Sequence, residues 1–343
     1  MRAILLLACV AACAAPDAGF SPAAFDRVQP ELFETPGAQS NSWIDYDGDG
    51  DLDLFVALRD QPNRMFRNDG ARGDGGPAWT FTDVTAESGI GDPRRTVGVA
   101  WFDYDRDGDL DIFVATYGPD VLWRNNGDGT FTDLTDPVTL GVDYHSTSAV
   151  WGDVDHNGLP DLVVTSYLSG IAAVEDHLFM SAGGGRFHNA LPASLLEHGP
   201  SHGVAWADFD GDGDLDLSIA NNHETGGTHH LYRNLLDAGA AARSLQVVAV
   251  DATGRSVVPG AEVQLLDSAS GELLGTRLID TGGGYCSQGA APAHFGLPPG
   301  VERVDVRVTF VADGRRSTVV REGVLPADYQ GRWLTVPAHD QKR

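Results

Sequence analysis

The sequence predicts an all-β fold: a β-propeller of about four blades, followed by a small, sandwich-like all-β domain. Three observations predict it. A ten-residue acidic stretch recurs four times, at intervals of 58, 50 and 55 residues, a period that belongs to propellers and similar arrays. Each copy is flanked by short apolar runs of strand length. From about Arg243 the repeat stops and a second alternating pattern takes over.

The copies are "DYDGDGDLDL" from Asp45, "DYDRDGDLDI" from Asp103, "DVDHNGLPDL" from Asp153 and "DFDGDGDLDL" from Asp208. A tryptophan stands two residues before each: Trp43, Trp101, Trp151 and Trp206. Runs such as "VGVAWFD" before Asp103 and "LDIFVAT" after it read as strands, so each stretch is the turn of a β-hairpin. A third strand is expected at "MFRN" (65–68), "LWRN" (122–125), "LFMS" (178–181) and "LYRN" (231–234). A fourth is expected at "FTDVT" from Phe81, "FTDLT" from Phe131 and "FHNAL" from Phe187. Four strands make a propeller blade. The fourth repeat lacks its last strand. Phe25 lies 20 residues before Asp45, close to the 22, 22 and 21 that separate Phe81, Phe131 and Phe187 from the next loop. Phe25–Val28 is therefore expected to complete the last blade and close the ring; an open arc or half of a dimer is the alternative. The recurring tryptophans, with Phe66, Trp123, Phe179 and Tyr232, are expected to form inter-blade core.

The acidic pattern D-x-D-x-D/N-G-x-x-D carries the chemistry. Oxygens at alternate positions converge when the chain coils about a point, and the sixth-position glycine permits the turn. The first half matches an EF-hand loop, whereas the glutamate at position twelve is missing and an aspartate at position nine replaces it. Such close carboxylates repel one another, and a bound divalent cation reverses that balance. These are read as calcium loops, up to four Ca2+ in all, because an all-protein oxygen cage suits the larger ion better than magnesium. The expected side-chain ligands are Asp45, Asp47, Asp49 and Asp53; Asp103, Asp105, Asp107 and Asp111; Asp153, Asp155, Asn157 and Asp161; and Asp208, Asp210, Asp212 and Asp216. Asp51, Asp109, Leu159 and Asp214 are expected to add their carbonyls.

These residues resemble the FG-GAP or VCBS repeats of integrin-like propellers over residues 22–240. In the tail, "LQVVAV", "AEVQLL", "VDVRVTF" and "WLTV" read as alternating strands, and "GGGYCSQGAAPAHFGLP" is the most specific stretch. Residues 243–336 resemble the ASPIC/UnbV domain of the cartilage acidic protein family and its bacterial relatives, with "FVADG" where that domain has W-P-x-G; residues 337–343 are a tail. The resemblance implies calcium binding and extracellular interaction rather than a reaction.

Residues 1–14 read as an export signal: Arg2, an apolar "AILLLACV", then small residues. "VAAC" resembles a bacterial lipobox, making Cys13 the candidate lipid anchor; cleavage after Ala14 is the alternative. The expected location is extracytoplasmic, as a bacterial cell-envelope lipoprotein or a secreted protein. Removal of Cys9 and processing at Cys13 would leave Cys286 without a disulfide partner, expected as a small buried side chain. The net charge of −26 repels nucleic acid and anionic membranes and attracts cations. Neither G-x-S-x-G nor C-x-x-C nor a phosphate-cradling loop occurs. His223, Glu224, His229 and His230 lack the zincin spacing and read as an exposed loop; His145 and His202 read as hydrogen-bonding residues near the channel. The expected function is non-catalytic, with a protein or glycan partner at the cell surface. A surface hydrolase or lyase, or an accessory factor in a biosynthetic or export system, is the alternative.

Overall fold

The computed structural model describes residues 26–70, 79–91, 93–135, 145–169, 172–173, 175–195, 200–221, 228–280, 285–312 and 315–338. The chain divides into two units, Met1–Glu34 and Thr35–Arg343. Of the first, residues 26–34 are described: a short helix α1 (Pro30–Phe33) and an Arg27–Glu34 ion pair. The export signal, Cys9, Cys13 and Phe25 lie outside the described residues.

The second unit opens with four antiparallel sheets in chain order. The first contains β1 (Ala38–Ile44), β2 (Asp53–Leu58), β3 (Arg64–Asn68) and β4 (Phe81–Asp83), followed by the short helix α2 (Thr85–Ser88). The second contains β5 (Thr96–Phe102), β6 (Asp111–Thr116), β7 (Val121–Asn125) and β8 (Phe131–Asp133). In the third, β9 (Ser146–Gly152) and β10 (Asp161–Ser166) precede a two-residue pair, β11 (Leu168–Ser169) and β12 (Ala172–Ala173). The sheet ends with β13 (His177–Ser181) and β14 (Phe187–Asn189). The fourth has three strands among the described residues: β15 (Ser201–Ala207), β16 (Asp216–Asn221) and β17 (His230–Tyr232). The expected blades, strand order and loop positions are all present. The expected closing strand is corrected: residues 26–28 form no strand, and Pro30 opens a helix there instead.

Each pair of neighbouring blades shares one apolar cluster. Tyr46 and Phe55 of the first blade pack with Trp123 and Phe131 of the second. Phe102, Tyr104 and Phe113 of the second pack with Trp151, Phe179 and Phe187 of the third. Val163 of the third packs with Val204, Leu217 and Ile219 of the fourth. The tryptophan of each later blade lies on the blade before it: Trp101 meets Phe55 edge-on at 6.1 Å and donates to Ser42 Oγ at 2.8 Å, and Trp151 stacks on Phe102 at 5.5 Å. Trp43 departs from expectation. It is 49% exposed, because among the described residues no other blade packs over it.

A short helix, α3 (Ala238–Ala241), capped by the Asp237 carboxylate, leads to the C-terminal sandwich. One sheet joins β18 (Ser244–Val250), β21 (Ala293–Gly296) and the parallel β24 (Leu334–Pro337). The other joins β19 (Glu262–Asp267), β20 (Leu273–Leu278), β22 (Val304–Ala312) and β23 (Arg315–Val324). Alternate residues Val263 and Leu265, Val304, Val306 and Val308, and Leu245 and Val247 point into one core, the period-two burial expected of a two-sheet stack. Cys286 is a correction. It is exposed with φ 56°, since the main chain of this loop, not its side chain, packs inward: a β-carbon on Gly203 would lie 2.3 Å from the Cys286 carbonyl oxygen.

Candidate metal centres

The four acidic loops join the first two strands of each blade in one register. Ile44 pairs with Asp53, Phe102 with Asp111, Gly152 with Asp161 and Ala207 with Asp216. The ninth-position aspartate is thus the first residue of the second strand. One of its oxygens accepts from the main-chain N–H of the second loop residue: Tyr46 at 3.2 Å, Tyr104 at 3.0 Å, Val154 at 3.0 Å and Phe209 at 3.1 Å. The other accepts from the end of the third strand: Asn68, Asn125 and Ser181 at 2.8 Å, and Asn234 at 2.9 Å. Along each loop, the third side chain accepts from the N–H of the fifth residue and the fifth from that of the seventh, as for Asp105 to Asp107 at 3.3 Å and Asp107 to Asp109 at 3.0 Å. Sequential Asx turns of this kind wind the loop.

The coil brings positions one, three and nine together. Ligand oxygens of Asp45, Asp47 and Asp53 lie within 4.8 Å of one another, as do those of Asp103, Asp105 and Asp111, of Asp153, Asp155 and Asp161, and of Asp208, Asp210 and Asp216. Each set could hold a metal ion. Asp49, Asp107 and Asp212, at the fifth position, are outside these sets; one oxygen of each fifth residue, Asn157 included, accepts the seventh N–H. The all-oxygen donor set suits a hard cation. Asp45 Oδ1 and both oxygens of Asp103 are buried without a well-formed hydrogen bond, a demand that a cation could meet.

Without an ion, the carboxyls are pushed far up. Burial first, and neighbouring aspartates after it, raise Asp53 to about 8, Asp111 to about 9 and Asp161 to about 8, against the two main-chain N–H bonds each accepts. Asp153 reaches about 7 and Asp103 about 6, also through burial, drawn back first by the Gly158 N–H at Asp153 and the Thr276 hydroxyl at Asp103 and then by Arg277 at both. In the fourth loop Arg233 pairs with Asp210 at 2.6 Å and Asp212 at 2.8 Å.

Two features escaped the sequence reading. The fourth loop position is left-handed in every copy, with φ 74° at Gly48, 63° at Arg106, 54° at His156 and 76° at Gly211; only two of the four are glycine, so the signal was hidden. The second is a buried acid at the turn before the third strand. Asp120 accepts from Thr116 N at 2.8 Å and Ser146 Oγ at 2.7 Å, and Asp176 from Ser166 N at 2.8 Å and Ser201 Oγ at 2.7 Å. Each ties its blade to the next. Of the histidines weighed for zinc, His223 and Glu224 lie outside the described residues, and His230 opens β17 and bonds Thr228. His145 and His202 sit against Tyr117 and Tyr167, with ring centroids 5.4 and 4.8 Å apart.

The acidic hairpins of the first three blades are FG-GAP-like repeats: the model of that repeat matches residues 45–114 and 103–164. The chain is 31% identical to human cartilage acidic protein 1 over 80% of its length, and 30% identical to the mouse protein over 71%. It spans 42% and 37% of those relatives. A solved structure of an Agrocybe aegerita lectin that recognises non-reducing terminal N-acetylglucosamine aligns with 87% of this chain and 83% of its own, at 16% identity and a TM-score of 0.35, too slight a likeness to bear on ligand. No described helix is long and apolar enough to cross a membrane.

Proposed function

We propose that the chain is an exported, non-catalytic calcium-binding propeller that acts in protein or glycan interaction outside the cytoplasm. The observation that carries this reading is the fourfold convergence of carboxylates at positions one, three and nine; in the first two loops it includes buried oxygens, Asp45 Oδ1 and both of Asp103, without a well-formed hydrogen bond. Calcium would be held by those three side chains, with the fifth side chain and the seventh carbonyl completing an oxygen cage of its preferred size. The relatedness to cartilage acidic protein 1 supports a location outside the cytoplasm, as does the signal-like N-terminus with Cys13 as lipid-anchor candidate. Among the described residues, the groups of three or more acids placed to hold a metal all lie in the four loops.

Equilibrium dialysis of the mature chain should find calcium bound at up to four per chain. Thermal melting should shift upward by well over 10 °C from chelator to millimolar calcium by linkage, with little effect from equal magnesium. Identical melting curves in chelator and calcium would overturn the reading. Pull-down with calcium-loaded chain from its own cell envelope would then identify the partner.

A further inference from the structure

All four loops rest on the C-terminal part of the chain. A β-carbon on the sixth-position glycine would lie 3.1 Å from the Arg315 main chain at Gly50 and 2.9 Å from Pro298 at Gly158. At Gly213 it would lie 2.6 Å from the Ala241 carbonyl oxygen, and at Gly108 3.7 Å from Gln264 and Leu273. The same glycines that allow the turn also allow this approach.

The first-position aspartates face the same way. Asp45 accepts from Arg316 Nη1 at 3.2 Å, and Asp208 from Gln246 Nε2 at 2.7 Å. The buried Arg277 acts on both Asp103 and Asp153, its guanidinium 3.9 Å over the Phe102 ring. Gly296 is so close to Asp153 that a β-carbon there would lie 2.3 Å from Oδ2. A loop with four carboxylates stays negative after a divalent ion binds, and the arginines of the sandwich stand beside that excess.

We infer that the four metal loops are the docking surface of the C-terminal sandwich, and that metal binding and docking form one coupled equilibrium: filled loops hold the sandwich down and emptied loops release it. This rests on the calcium reading above. An emptied loop loses the ion that ties positions one, three and nine together, and its acids must then repel one another or take up protons, so the coil loosens and the main-chain surface at its glycines is lost. Reciprocity requires that loosening the sandwich weakens the metal sites by the same factor.

Hydrogen exchange on the full chain tests the first half. On passing from millimolar calcium to chelator, exchange at 294–298 and 315–317 should quicken at least tenfold while the core strand β22 stays protected. Equal protection in both conditions overturns the inference, as does loss of β22 in step, which would be unfolding of the sandwich rather than release. The second half uses Leu273→Ser, which touches the second loop without adding or removing charge. Calorimetric titration should show calcium binding weakened about threefold or more; unchanged affinity overturns the coupling. Calcium uptake without any change in protection overturns this inference alone, whereas no uptake overturns the calcium reading with it.

Discussion

Asp53, Asp111, Asp161 and Asp216 each do two things at once. The carboxylate is one corner of an acid cluster that could hold a metal ion and the acceptor of two main-chain N–H groups. The sequence showed an acid at that position and its spacing, but not the second role, because hydrogen bonds to main chain leave no residue-type signature on the donor side. The fifth position is read the other way. Its Asx-turn duty needs only one oxygen, so Asn157 winds its loop as well as an aspartate does, donating no charge to the site. Asn157→Asp should therefore tighten the third site, and Asp49→Asn should weaken the first, each on the order of tenfold, since affinity follows ligand charge; site-resolved calcium titration measures both. Protons compete at the same oxygens. The metal-free fold holds Asp53, Asp111 and Asp161 near 8 to 9, far above the carboxyl value of about 4 in an unfolded chain. The folded, metal-free chain then binds more protons than the unfolded one across that window, and its stability falls as pH rises through it. Calcium needs the ionised forms. The gap between melting temperatures in calcium and in chelator should widen steadily from pH 5 to pH 9, and a gap that narrows would contradict the buried-carboxyl account.

At the scale of the blade, strand order was legible because the apolar runs and the turn residues repeat in phase. The third-strand asparagine was legible only as a letter. Asn125 Nδ2 reaches both Leu110 O at 3.3 Å and Tyr46 O of the preceding blade at 3.2 Å, and Asn234 Nδ2 reaches Val154 O at 2.9 Å. A polar residue that spans two blades cannot be distinguished from a turn residue without the neighbour in view. Replacing Asn125 with Ala removes both bonds and the acceptor for Gly127 N, and should cost about 2 kcal/mol, read as a shift in the denaturation midpoint at saturating calcium. The closing strand expected at Phe25–Val28 failed for a related reason. Its phase came from one phenylalanine, while Pro30 two residues beyond sets up a helix start.

Across the whole molecule, equivalent positions of the repeat have unequal surroundings. Tyr46 and Tyr104, second in their loops, are 7% and 5% exposed beneath the fourth-strand Phe131 and Phe187 of the next blade; among the described residues no further blade covers Phe209, which is 52% exposed. Leu231 is 58% exposed where Met65 and Leu122 are buried. Tyr104→Ala should cost about 3 kcal/mol or more by leaving a cavity, while Phe209→Ala should stay within about 0.5 kcal/mol, in paired denaturation curves. The repeat was legible in the sequence; its ends were not, because every copy carries the same letters whether or not a neighbour covers them. The resting of the sandwich on the loops was equally hidden, since its contacts, at the loop glycines and through pairs such as Asp45 with Arg316 and Asp208 with Gln246, join residues far apart in the chain. The inter-blade contact itself is directional: one blade offers the face bearing its loop aromatic, and the next offers its tryptophan and fourth strand. Both halves of that seam travel inside a single unit of about fifty residues. Copying the unit in tandem therefore delivers a new member already cut to fit on either side, so such a chain can lengthen by duplication with no change to the members it already has.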